Sequence, residues 1–221
     1  QLSSRAWDRS YIERGQRRTP TFYQDFIDVL GENKGHLIAS TACLGGRFAT
    51  SILRKDSDSI NFMINWMIDT FGEGNCFLEM QDSDSDDQQE VNRYIVQLSE
   101  FFDIPYIVTQ DAHYLDKKDL ALFEKFLNSK AESDREVGSF YKYTYMKPES
   151  EIHEILSYLP TEVVETAINN TQLIYNQIEY YDLRQDTVVP LRKLPEFQLE
   201  HLLSKWYSKY KNIDYFAHSP Y

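Results

Sequence analysis

Asp111 and His113 are the pair of residues in this sequence whose types and spacing most directly suggest chemistry. A carboxylate and an imidazole both bind zinc, iron or manganese. In an extended chain, residues two positions apart share a face, so both side chains could turn toward one ion. An alternative remains open, because Asp111 could instead cap the helix that is predicted to begin near Asp116.

Three further residues could join this pair: Cys43, Glu79 and Asp82. Each lies within or just after a predicted strand. A thiolate and carboxylates would complete a site for a divalent metal ion. Cys43 could equally be a small buried apolar residue. Glu79 stands among apolar neighbours and therefore needs a partner or a metal if it is buried, but it needs neither if it faces solvent.

The acidic run at residues 82–87, "DSDSDD", has the alternating carboxylates of a calcium-binding loop. In an EF-hand, glycine would occupy the sixth position and glutamate the twelfth, where this sequence has Asp87 and Arg93. The run is therefore not an EF-hand. We interpret it as a solvated loop that continues into the negatively charged amino end of the next helix.

The elements that must position these residues alternate between strand and helix. Apolar runs predict strands at residues 36–41, 76–81 and 104–109, and helical periodicity predicts helices at 56–74, 86–103 and 116–130. This order is typical of a parallel α/β sheet, in which the carboxyl ends of the strands meet at one edge. The sequence therefore predicts that Cys43, Glu79, Asp82, Asp111 and His113 gather at one rim. Further predicted elements are helices at 21–35, from Pro148 to 156, at 161–178 and at 199–210, and an extended stretch at 180–197.

The bulk composition limits the class of protein. The chain has 221 residues, of which 42% are hydrophobic, enough for a large buried core. It contains no apolar stretch that could span a membrane and no signal-peptide pattern, and its two cysteines form no disulfide framework, so we expect a cytoplasmic setting. The net charge of −12 makes direct binding of nucleic acid a poor prior expectation.

Four segments together resemble a known family, the PHP (polymerase and histidinol phosphatase) domain of the bacterial replicative DNA polymerase III alpha subunit. They are "GHLIASTACLGGRFA", "FLEMQDSDSDDQQEVNRYIVQLSEFFDIPYIVTQDAHYLDKKD", "FYKYTYMKPESEIHEIL" and "AINNTQLIYNQIE". The third resembles the segment in which that family has a Tyr-x-Lys-Ser pattern before a helix. The similarity extends over residues 2–195, most of the chain.

The resemblance implies a fold, a site and a cofactor. The fold would be α/β, with the parallel strands of an incomplete, distorted (β/α) barrel of PHP type, followed by a helical and extended connection toward a polymerase palm. Residues 1–180 would be the later part of the PHP domain, and residues 181–221 the linker and the start of the palm region. Cys43, Asp111 and His113 would bind a divalent metal, zinc, manganese or magnesium, with Glu79 and Asp82 supporting them.

Departures from the family pattern limit this reading. The amino-terminal His-x-His motif is absent, and Ser83 stands where the family usually has histidine. The catalytic aspartates of the polymerase palm are also absent. We therefore expect a central piece of a DNA-directed DNA polymerase (a nucleotidyltransferase) that carries no catalytic residues of its own and, by itself, is inactive and binds metal weakly if at all.

The expected partners are the remainder of the alpha subunit and a proofreading exonuclease subunit. DNA would be reached only through the parent protein, and no membrane is involved. The PHP domain would have a structural and docking role or a vestigial 3′–5′ exonuclease role. The alternative is a free-standing, metal-dependent PHP phosphoesterase that acts on a small phosphate ester.

Overall fold

The computed structural model describes residues 1–31, 34–129 and 139–180, together with residues 182, 184, 204 and 205. The chain divides into two units, Gln1–Ile178 and Glu179–Tyr221, and the elements given below all belong to the first. The extended stretch predicted for 180–197 and the helix predicted for 199–210 lie almost entirely outside the described residues.

The first unit begins with a helix, a hairpin and a second helix, and then alternates between strand and helix. The α-helices are α1 Leu2–Asp8, α2 Tyr23–Leu30, α3 Arg47–Leu53, α4 Ser57–Phe71, α5 Asp86–Phe102, α6 Leu120–Ser129, α7 Glu149–Ile155, α8 Thr161–Asn169 and α9 Thr171–Gln177. The strands are β1 Tyr11–Glu13, β2 Gln16–Arg18, β3 Ala39–Ser40, β4 Cys76–Gln81 and β5 Tyr106–Thr109, and short 3-10 helices span Lys117–Asp119 and Ser139–Tyr143. None of the helices within the described ranges is long and apolar enough to cross a lipid bilayer.

The strands β3, β4 and β5 form one parallel sheet in that order. Ser40 is in register with Phe77, and Gln81 is in register with Thr109. The prediction of three parallel neighbouring strands is therefore confirmed. The strand β3 covers only Ala39–Ser40 and is shorter than the predicted 36–41. Leu37 lies outside the strand, and 40% of its surface is exposed.

Residues 143–147 pair with the chain that follows β5. Tyr114 forms an isolated parallel bridge with Tyr145, and the backbone N–H of His113 donates to the carbonyl oxygen of Thr144 at 2.7 Å. This segment therefore continues the parallel arrangement past the end of β5. The incomplete, distorted (β/α) barrel of PHP type that the resemblance implies remains a prediction.

The core lies between this sheet and its helices. β4 is buried on both faces except at Glu79, which is half-buried, and α5 packs on β4 while α8 packs on β5. The amphipathic helix α4 buries one apolar stripe, as its spacing predicts. The fully buried side chains of this core include Ile64, Phe77, Leu78, Met80, Val91, Ile95, Leu156 and Val164.

Several predicted helices have other bounds: α2 is shorter than the predicted 21–35, the helix predicted at 116–130 begins as a 3-10 helix, and the helix predicted at 161–178 is divided in two. Residues 161–178 form two helices, α8 and α9, with Asn170 between them. The side-chain amide of Asn170 donates to the carbonyl oxygen of Tyr106 at 2.8 Å, and the Thr171 hydroxyl donates to the carbonyl oxygen of Ile168 at 2.6 Å. Such side-chain bonds compete with the regular helical pattern, which explains the interruption.

Candidate functional site

Glu79 joins all three strands of the parallel sheet near their carboxyl ends. Its carboxylate accepts hydrogen bonds from the Ser40 hydroxyl in β3 and from the Thr109 hydroxyl in β5, the latter at 2.6 Å. Its backbone N–H donates to the hydroxyl of Thr41 at 2.8 Å. The half-buried carboxylate therefore has a hydroxyl donor on each side, and its exposed part keeps contact with water.

Asp111 and His113 lie close together, as the sequence predicts. The His113 Nδ1 atom is 4.0 Å from Oδ1 of Asp111 and 2.5 Å from its backbone carbonyl oxygen. Asp111 has a φ of 45°, in the left-handed region, so the chain turns sharply where β5 has ended. About a third of each side chain, 34%, is exposed.

The imidazole of His113 is held by an aromatic cluster. Its ring centroid lies 5.8 Å from that of Phe123 in α6 and 5.4 Å from that of Tyr141, both in edge-on arrangements. The Phe123 and Tyr141 rings also contact each other, with centroids 5.3 Å apart. Packing therefore fixes the orientation of the ring without a bound ligand.

Cys43 is a free, half-buried thiol in the turn that follows β3. The turn is tight: the Gly46 N–H donates to the Cys43 carbonyl oxygen at 2.8 Å, and Ala42 has a φ of 62°. A Cβ atom at Gly46 would lie only 3.0 Å from that carbonyl oxygen. The sequence "CLGG" therefore serves the close approach of the backbone in this turn.

The metal site predicted at Cys43, Asp111 and His113 stays a prediction. Across residues 1–31, 34–129 and 139–180, no three or more His, Cys, Asp or Glu side chains lie close enough together to hold an ion. Asp111 and His113 are neighbours, but Cys43 does not join them in such a group.

Asp82 is buried at the end of β4 and forms an ion pair with Lys147. The Asp82 Oδ2 atom lies 3.0 Å from Nζ of Lys147, and the two side chains are 2% and 0% exposed. Burial raises the pKa of Asp82 to about 6, and the neighbouring ammonium offsets part of that rise. Asp82 therefore supports this rim by pairing with a lysine, whereas its predicted role was to support metal ligands.

A buried amide network lies beside this ion pair. The Asn92 side-chain amide donates to the Gln81 carbonyl oxygen at 2.9 Å and to the Tyr158 hydroxyl at 2.7 Å. The Gln88 side chain donates to Asn92 Oδ1 at 2.9 Å. The network ties α5 to the end of β4. In an amphipathic helix, polar residues are expected on the solvent-facing side. The periodicity of the sequence therefore did not predict this buried network.

The acidic run was predicted to be a solvated loop leading into a helix; this is confirmed for Asp84, Asp86 and Asp87, which are exposed, but is wrong for the buried Asp82. The Ser85 hydroxyl accepts from the Gln88 backbone N–H at 3.3 Å and caps the helix, and Asp86 and Asp87 lie in its first turn. An open cleft of about 450 Å³ lies beside Asp84. Among the described residues, its lining carries the carboxylates of Asp84, Glu151 and Glu154 against the single ammonium of Lys117, so the net charge of the cleft is unfavourable for a phosphate backbone.

Comparison with known proteins places the chain among relatives of DNA polymerases. It is 37% identical over 96% of its length to the probable DNA polymerase YorL of Bacillus subtilis, and equally similar to a DNA-directed DNA polymerase of Bacillus phage SPbeta. It is 26% identical over 92% of its length to the DNA polymerase III subunit alpha of Borreliella burgdorferi. The chain spans only 17% to 18% of the length of these relatives. No protein-family model matches the sequence.

Proposed function

We propose that this chain is a PHP-type module of a DNA polymerase related to the polymerase III alpha subunit, and that its role is structural. The relation to a DNA polymerase rests on the similarity to two DNA polymerases over 96% of the chain. That similarity supports a DNA polymerase-related function. The assignment to the PHP domain rests in addition on the resemblance of the sequence motifs.

The geometry of the rim supports a structural role over a hydrolytic one. Metal-assisted cleavage of a phosphodiester uses ions held by several converging ligands, commonly two ions a few Å apart. In the described part of the chain, Asp111 and His113 lack a third ligand in reach. Glu79 and Asp82 are already engaged with hydroxyl groups and an ammonium. The site therefore favours scaffolding of the polymerase or docking of a partner, such as a proofreading exonuclease subunit.

The test is to express the complete open reading frame that encodes this chain and to assay primer extension with magnesium. We expect template-directed DNA synthesis. We also expect that His113→Ala leaves both primer extension and 3′–5′ exonuclease activity unchanged. If the expressed protein hydrolyses small phosphate esters but does not extend a primer, the result would instead support a free-standing phosphoesterase. Exonuclease activity that disappears with His113→Ala would overturn the structural role.

A further inference from the structure

The side chain of Lys147 occupies a closed cage of acceptors. Its Nζ atom donates hydrogen bonds to the carbonyl oxygens of Tyr143 and Tyr145, the latter at 3.1 Å, and lies 3.0 Å from Asp82 Oδ2. The ring of Tyr145 covers it, with the centroid 4.6 Å from Nζ. The ammonium therefore donates two hydrogen bonds to carbonyl oxygens, and the carboxylate of Asp82 compensates its charge as an ion-pair partner without a hydrogen bond to the Oδ2 atom.

The segment that carries Lys147 holds the chain on both sides of Asp111. Before Asp111, the Gln110 side chain accepts from the Lys147 backbone N–H at 2.8 Å and donates to the Lys147 carbonyl oxygen at 2.9 Å. After it, the His113 N–H donates to the Thr144 carbonyl oxygen at 2.7 Å. The position of the Asp111–His113 loop therefore depends directly on the position of residues 144–147.

Nothing in this arrangement requires a metal ion. The described residues offer no group of three metal ligands, and the Nδ1 atom of His113 faces the backbone carbonyl oxygen of Asp111. The cation that neutralises the buried carboxylate of this rim, Asp82, belongs to the protein itself.

We propose that Lys147, paired with Asp82, is a positioning residue that supplies the organising cation of this rim and fixes the Asp111–His113 loop without a metal ion. Removing the ammonium would leave the Asp82 carboxylate buried without a counter-charge, which is strongly destabilising. It would also release two backbone carbonyl oxygens and loosen residues 143–147. The proposal concerns the same rim as the proposed function but does not depend on polymerase activity.

The first arm of the test compares melting temperatures of the 221-residue chain with and without a chelator. We expect EDTA to leave the melting temperature unchanged and Lys147→Met to lower it by about 10 °C. The matched control is Lys142→Met, which removes an exposed ammonium from the residue just before residues 143–147 and should leave the melting temperature unchanged. A melting temperature that falls with EDTA, or rises saturably with zinc or manganese, would overturn the proposal.

The second arm measures the loop directly by NMR of the His113 backbone amide and imidazole ring. We expect Lys147→Met to shift both sets of resonances, and Lys142→Met or EDTA to shift neither. If Lys147→Met does not fold, the double variant Asp82→Leu, Lys147→Met carries the test, because it removes both buried charges. It should recover most of the lost thermal stability while the His113 resonances remain shifted. Unshifted His113 resonances in either variant would refute the positioning role.

Discussion

Two carboxylates lie near the end of β4, Glu79 within the strand and Asp82 directly after it. Their partners are of different kinds. Glu79 is half-buried and accepts hydroxyl hydrogen bonds from the strands on both sides, whereas Asp82 is buried and pairs with an ammonium. The difference follows from burial, because a half-buried charge keeps part of its hydration and a fully buried one needs a counter-charge. Both residues hold the sheet edge together.

Replacement of Glu79 should therefore weaken the sheet. Glu79→Ala removes the acceptor shared by Ser40 and Thr109, and hydrogen bonds to charged groups contribute about 2 kcal/mol each. We expect the free energy of unfolding, measured by urea denaturation, to fall by about 2 kcal/mol because the freed hydroxyls can still reach water. The control Glu90→Ala removes an exposed carboxylate from α5 and should change little. An equal loss in both variants would contradict the bridging role.

Asp25 shows how an arginine stabilises a buried carboxylate near the amino end. Arg9 forms two hydrogen bonds with it, at 2.5 and 2.6 Å, and the Phe22 backbone N–H donates to it at 2.8 Å. These bonds favour the ionised form, and the Arg9 guanidinium in particular lowers the pKa of Asp25 from 3.8 to about 2. The pair joins α1 to the start of α2.

The shifted pKa predicts a specific dependence of stability on pH. Because the pKa of Asp25 is lower in the folded state, its contribution is fully present above the unfolded value and is lost as the pH falls through about 2. We expect the melting temperature to drop less steeply between about pH 4 and pH 2 in Asp25→Asn than in the original chain. The exposed Asp69→Asn serves as the control. Parallel pH profiles for Asp25→Asn and the original chain would refute the prediction.

Among the elements, α5 has strong signals at both ends. Ser85 caps its amino end, and Asp103 ends it in the left-handed conformation with a φ of 54°. Glycine is favoured at such a position because a Cβ atom there is strained. A carboxylate near a helix carboxyl end also interacts unfavourably with the helix dipole. Asp103 is therefore a suboptimal residue on two independent grounds.

Asp103→Gly should stabilise the chain by about 1 kcal/mol, because it relieves the backbone strain and removes the unfavourable charge. Asp103→Asn separates the two causes, since it removes the charge but keeps the Cβ atom. We expect its gain in the free energy of unfolding to be smaller than that of glycine. If the glycine variant is less stable than the original chain, the carboxylate must make a compensating interaction.

Several elements could be predicted from the sequence because burial imposes a period. The strands β4 and β5 and the helices α4 and α5 each bury an apolar set, and these sets produce the patterns that predict them. The hairpin of β1 and β2 has every residue exposed and therefore no alternation to detect. Its one local signal is the turn, where Arg14 and Gly15 both have positive φ, as a type I′ turn requires.

The candidate site could be predicted only where its residues are close in the sequence. Asp111 and His113 are close because they are two positions apart, but a left-handed turn at Asp111 replaces the extended chain that the prediction assumed. The burial of Lys147 depends on Asp82, 65 positions earlier in the chain, and on two backbone carbonyl oxygens from its own segment. Because lysine is rarely buried, an exposed position was the expectation for Lys147. The Tyr-x-Lys resemblance of residues 145–147 was the available signal.

For the whole molecule, net charge and coverage of the relatives both bear on how the chain would meet DNA. The net charge of −12 opposes approach to DNA, because phosphate contacts dominate nucleic-acid affinity and require cations. The chain matches only 17% of the length of two DNA polymerases. Under the proposed function, DNA would be bound and extended by other parts of the parent protein.

We therefore expect the 221-residue chain alone neither to polymerise nor to hydrolyse nucleic acid at a useful rate. The measurement is an assay with single-stranded DNA and a primer–template, to which magnesium, manganese or zinc is added in turn. The physical reason is that Asp111 and His113 lack a third ligand in reach within the described residues, whereas water activation usually uses ions caged by several ligands. These two side chains are also partly open to solvent, which weakens electrostatic contacts to any ion. The control is His113→Ala: metal-dependent cleavage that is robust in the original chain and disappears in this variant would show that the rim forms a working site.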